Sequence, residues 1–65
     1  MKGNYDAYTD ALTLELEPGI VAESDEDEPG VILDYDAQGD LIGIEVLDAS
    51  KRVAEARTMQ FQVTE

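Results

Sequence analysis

Apolar and polar residues alternate along ALTLEL (residues 11–16): Leu12, Leu14 and Leu16 point one way, Thr13 and Glu15 the other. A period of two marks a half-buried strand. Pro18 and Gly19 end it. Upstream, GNYD suggests a short strand ending near Tyr5, and Ile20, Val21 and Ala22 suggest another. The run SDEDE then places four acids in a row, Asp25 to Glu28. It reads as a solvated loop; a docking site for a basic partner or a cation is the functional alternative. Further on, VILDYD and LIGIEVL are rich in β-branched and aromatic residues, which favour strands.

These last two segments flank AQG (residues 37–39), which suits a three-residue hairpin loop. Ala37 and Gln38 form a type I turn, and Gly39 is left-handed in a bulge. With Asp36 opposite Asp40, Ile32, Ile42, Ile44 and Val46 share one face. Val31, Leu33, Tyr35, Leu41 and Leu47 share the other, together with Glu45. Both faces of the hairpin are then apolar, and one short helix covers only one of them. Cover for the second comes from the C-terminal segment around Phe61, from a second copy of the chain, or from a different protein. Val31, Leu33, Tyr35, Leu41 and Leu47 are the candidate partner-binding residues.

The same stretch, DYDAQGDLIGIE (residues 34–45), nearly fits a calcium loop, with Asp34, Asp36, Gln38 and Glu45 at ligand positions. An EF-hand folds its ligands around one point between two helices, and here both flanks are strand-like. Glu45 lies five residues up the second strand, roughly 16 Å from Asp40 at strand rise. A weaker cation site, Asp34, Asp36 and Asp40 near the turn, survives this test. Its plainer alternative is that turn aspartates bond the local backbone.

DASKRVAEAR opens with Asp48 or Ser50 as an N-cap and continues in helix formers, which predicts a short helix near residues 49–57. TMQFQVTE alternates again, so residues 58–65 are a last strand or an extended tail.

Charge changes the picture of solvent and partners. The 65 residues carry 16 Asp and Glu against 4 Lys and Arg, a net −12. The patterned apolar positions distinguish this from a disordered acidic chain. Acids spread over the whole chain suit a halophile's salt-loaded cytoplasm and predict lower stability at low salt, where self-repulsion is screened less. Lys51, Arg52 and Arg57 form only a small basic spot, too little for a nucleic-acid binder or an anionic membrane surface. The N-terminus has no apolar signal-peptide core, and the expected location is cytoplasmic. At this length the chain is a single domain, 1–65, burying only about 60% of the surface its unfolded form exposes. No cysteine or histidine is present to staple it. No cofactor is expected.

The same absences remove the commonest general base and thiol nucleophile. Ser24 and Ser50 have no evident base. A carboxylate pair such as Asp34 and Glu45 can be named, but such pairs arise by chance among 16 acids. No catalytic residue is assigned.

YDAYTDALTLEL and VAESDEDEPGVILDYDAQGDLIGIEVLDASKR, in order and at this spacing, resemble the family called domain of unknown function 2283, small prokaryotic proteins. The resemblance covers residues 1 to 52. It implies a small antiparallel sheet with a helix, and the acidity suits a haloarchaeal member. Some members look as if they accompany small toxin-like proteins; no functional residue carries over from that. The expectation is an α+β domain: an antiparallel meander of three to five strands with one short helix near the C-terminus. Its expected role is a non-enzymatic protein-interaction module, a homodimer or bound to a small protein partner, in the manner of an antitoxin. The alternatives are a weak cation- or salt-responsive binding protein and a carboxylate-based enzyme of unknown substrate.

Overall fold

The strand-like segments form β1 (Lys2–Asp6), β2 (Ala11–Glu15), β3 (Glu23–Glu28), β4 (Val31–Tyr35) and β5 (Leu41–Leu47), followed by α1 (Ala49–Arg52). The structure is a computed structural model and describes residues 1–64. The five strands make one sheet in the order β1-β2-β5-β4-β3, each neighbouring pair antiparallel. Strands β3 to β5 are a meander, and β2 lies beside β5, a Greek-key connection. The class is the expected one, a small antiparallel sheet with one short helix. Among the described residues no helix is long and apolar enough to cross a membrane.

The hairpin tip forms as its sequence predicts. Gly39 has φ +86° and donates its N–H to the Asp36 carbonyl at 3.0 Å, and the Asp36 N–H donates to the Asp40 carbonyl at 3.0 Å. Tyr35 pairs with Leu41, as this tip requires, but Asp34 then pairs with Gly43. Ile42 is the extra residue of a β-bulge. A slip of one residue exchanges the two faces for the rest of a strand. Leu33 therefore pairs with Ile44, Val31 with Val46 and Ile32 with Glu45. The expected grouping of Ile32 with Ile44 and Val46, and of Val31 and Leu33 with Glu45 and Leu47, is overturned. The hairpin has one apolar face and one mixed face.

The bulge is held from outside the hairpin. The Ile42 carbonyl accepts the N–H groups of Leu16 (2.8 Å) and Glu17 (3.3 Å). Its side chain lies with Gly19, Val21, Asp34 and Gly43 around one hollow and is only 4% exposed. Ile20, Val21 and Ala22 form no strand; Ala22 is tied by its N–H to the Tyr35 carbonyl at 2.8 Å.

The acidic run expected as a loop is the edge strand β3, exposed at every residue. Its ladder partner β4 supplies the hydrogen bonds, and its charges keep the open edge from pairing with another sheet.

The helix expected over 49–57 is a single turn, because Val53 is extended (φ −115°, ψ 148°). One turn does not repay the cost of helix nucleation, and α1 is held by a distant residue instead. Asp48 is left-handed (φ 52°) and makes no side-chain cap. Asp10 caps the turn: its carbonyl accepts the Ala49 N–H at 2.9 Å, Oδ1 the Ser50 N–H at 3.0 Å, and Oδ2 the Ser50 hydroxyl at 2.6 Å. The Tyr5 hydroxyl donates to Oδ1 at 2.7 Å. The Ser50 and Tyr5 donors hold the Asp10 carboxyl below its ordinary value, and the bond to Asp10 raises the Tyr5 phenol. Residues 58–64 run on without strand pairing, and Glu65, the end of the expected last strand or tail, lies outside the described residues.

Candidate functional site

Cross-strand pairing sets the composition of one face. Its rows run Tyr5–Leu12–Val46–Val31 and Gly3–Leu14–Ile44–Leu33–Asp25. Directly paired residues share a face, so six aliphatic side chains from β2, β5 and β4 form a continuous patch. Tyr35, paired with Leu41 and with Glu23, extends it toward the tip. All six aliphatic residues are half-buried, and none is buried.

Of the candidate partner-binding residues, the sheet brings Val31, Leu33, Tyr35 and Leu41 to this face. It does not bring Leu47, which pairs with Ala11 one position out of phase. Ile44 and Val46 belong to the face, and the sequence reading missed them for want of the bulge.

The C-terminal segment leans on the β1 end of the patch. Met59 lies against Gly3, and the Arg57 guanidinium stands 5.7 Å from the centre of the Tyr5 ring. A hollow between them is lined by Tyr5, Leu12, Val53 and Met59. Phe61, the centre of the segment named as one of three candidate covers, is 72% exposed.

The opposite face carries a carboxyl pair. Asp34, only 5% exposed, accepts the Ser24 hydroxyl on Oδ1 at 2.6 Å. Its other neighbour is Glu45, whose carboxyl is raised above its ordinary value by a hydrogen bond with Asp34, by burial, and by repulsion from Asp34. Gly43 makes room: a Cβ there would meet the Leu14 carbonyl at 3.3 Å and Asp34 Oδ2 at 3.5 Å. The arrangement can hold a proton between two carboxyls. The sequence could name this pair but could not distinguish it from chance.

Asp34, Asp36 and Asp40 are not gathered as a cation site. Asp34 is engaged by Ser24, whereas Asp36 Oδ1 accepts the N–H groups of Gln38 (3.0 Å) and Asp40 (2.9 Å) at the turn. Among the described residues no group of three or more acidic side chains is placed to hold a metal ion. The basic spot is dispersed too. Arg52 bonds the Pro29 carbonyl and stands 3.5 Å from Glu28 on β3, whereas Arg57 stands over Tyr5 on β1, the opposite edge of the sheet.

A family model described as Protein of unknown function (DUF2283) matches residues 2–50. No curated protein and no solved structure matches the chain.

Proposed function

The chain belongs to DUF2283, a family of proteins of unknown function, and we propose that it is a non-enzymatic protein-interaction module. It works by burying the Leu12, Leu14, Val31, Leu33, Ile44 and Val46 face against another protein chain. One observation carries this reading: six aliphatic side chains lie side by side on three adjacent strands and none of them is buried. A contiguous apolar patch of this kind marks an interaction surface on a soluble protein.

Charge supports a finer form of the reading. A net −12 attracts a small basic protein, which suits an antitoxin-like chain that neutralises one. The acidity also argues for a salt-rich cytoplasm as the setting and against nucleic acid and membrane as partners.

The test is recovery of the tagged chain from its native host at high potassium, read by mass spectrometry. The wild type is expected to retain a second chain in stoichiometric amount, either its own copy or another protein. Leu33→Gln combined with Tyr35→Gln is expected to lose it, and Thr13→Gln on the opposite face is expected to keep it. A folded Leu33/Tyr35 variant that retains its partners would sink the reading.

A further inference from the structure

We propose that residues 57–61 are a strap that closes on the free edge of β1 as a sixth antiparallel strand, and so gate the sheet edge that charge does not defend. The proposal concerns that edge and does not depend on what covers the apolar face.

The two edges differ. In the order β1-β2-β5-β4-β3, each outer strand has a strand partner on one side only. An open edge pairs with other chains unless charge, a bulge or a covering segment prevents it. Five of the six residues of β3 are acidic, and its register shifts between Glu26 and Glu28. β1 is KGNYD, charged only at Lys2 and Asp6, and its register against β2 is unbroken. It has neither a charge run nor a bulge, which leaves a covering segment.

The C-terminal segment is already placed for this. At the turn of Ala56 and Arg57 the Glu55 carboxylate accepts the Arg57 N–H at 2.9 Å. The Arg57 guanidinium stands 5.7 Å from the centre of the Tyr5 ring. Two residues further on, Met59 Cε lies 3.2 Å from where a Cβ on Gly3 would stand, two residues back along β1. Two residues forward on one segment for two back on the other is an antiparallel register, with Arg57 opposite Tyr5 and Met59 opposite Gly3. The same Cβ would meet Leu14 Cδ2 at 3.5 Å, so Met59 reaches the face that carries Leu14.

The side chains suit the register. Met59 and Phe61 alternate with Thr58 and Gln60, the period of a strand. Met59 extends the row Gly3–Leu14–Ile44–Leu33 at the position where Gly3 supplies no side chain. Thr58 and Gln60 fall opposite Asn4 and Lys2, on the polar side of β1. Phe61 falls opposite Met1; they stand 72% and 69% exposed, and closure shields each with the other. A hollow of about 550 Å³, lined by Tyr5, Leu12, Val53 and Met59, separates the segment from the sheet. Closing the strap collapses it and takes that apolar lining out of water.

NMR of the full chain in high potassium chloride tests this. Backbone proton contacts are expected between Met59 and Gly3 and between Arg57 and Tyr5, with slow exchange of the β1 amides that point away from β2. Thr58→Pro combined with Met59→Pro removes two successive N–H groups, one of which faces β1 in any antiparallel register. That variant is expected to lose the contacts and to exchange those β1 amides about tenfold faster, with β4 and β5 amides unchanged. A wild type without the backbone contacts overturns the proposal. So does unchanged β1 exchange in a variant whose β4 and β5 amides stay protected. If β4 and β5 exchange faster too, the variant has lost its fold and the wild-type contacts decide alone. Mixed isotope-labelled and unlabelled chains show which copy supplies the strand. Contacts within one chain support the strap, and contacts that pass between chains overturn it, because β1 then takes the tail of another copy.

Discussion

Replacing Ile42 with alanine is expected to destabilise the fold by about 2–4 kcal/mol, the range for emptying a buried isoleucine site. Ile42 is the one large apolar side chain buried among the described residues, at 4% exposure. Its position off the ladder lets one residue do two things. Its carbonyl takes the N–H groups of Leu16 and Glu17, and its side chain is the floor under Gly19 and Val21. Alanine keeps the carbonyl bonds but empties the floor, so the connection from β2 to β3 loses its anchor. Small domains have a net stability of only several kcal/mol, so the loss is a large part of the total. Denaturant melts at fixed protein and salt concentration measure it, since association also contributes to apparent stability. Ile20→Ala is the control, at a site 86% exposed. If the two variants melt together, Ile42 does not anchor the connection.

Glu45→Gln is expected to act in the opposite direction and raise stability at neutral pH by up to about 1 kcal/mol, the scale of a cross-strand like-charge contact. The Glu45 carboxyl is raised above its ordinary value, first by its hydrogen bond with Asp34, then by burial and by repulsion from Asp34. A raised acid favours its protonated form in the folded state. Its contribution is therefore fully present below the unfolded value and is lost as pH rises through the folded one. As pH rises, ionisation of Glu45 is opposed by repulsion from Asp34. Glutamine keeps a donor for Asp34 and cannot ionise. The advantage of the variant should shrink on acidification and disappear below about pH 4, where the unfolded glutamate is itself protonated. Asp10 runs the other way. Its carboxyl is lowered by its bonds from Ser50 and Tyr5, so its contribution is present at neutral pH and fades as pH falls through the folded value. Melting curves of the wild type and Glu45→Gln across pH 4 to 7 separate the two groups. A variant less stable than the wild type at neutral pH would mean the pair is not a strained one.

Local chemistry made much of this fold legible. The period of two gave β2, and the Asp36–Gly39 turn closes as its residues require. What escaped was set by contacts distant in sequence. The bulge at Ile42 is held by Leu16 and Glu17 from another strand's end, and its one local hint is Gly43, since an isolated glycine inside a strand often marks a bulge. Without the bulge every face assignment from Gly43 onward reverses, and Ile44 and Val46 fall on the wrong side. β3 was hidden for a different reason. An exposed edge strand needs no apolar alternation, and ESDEDE has none. The cap on α1 comes from Asp10, 40 residues before Ser50. The only local hint was an Asp in a turn, and DAYTD contains two of them. The carboxyl pair was visible as Asp34 and Glu45, but only the folded register puts Glu45 on the same side as Asp34.

The most direct measurement of the central claim is the accessibility of the sheet's methyl groups to a soluble paramagnetic probe, read by NMR relaxation of the labelled chain in an extract of its native host at high potassium chloride. If the apolar face is an interface, the methyls of Leu33, Ile44 and Val46 are shielded well beyond their partial burial in a lone chain, while those of exposed Ile20 relax freely. If Leu33 and Ile44 relax in that extract as they do in the isolated monomeric chain, the face stands open among all the partners the host supplies and the account of the protein as an interaction module fails.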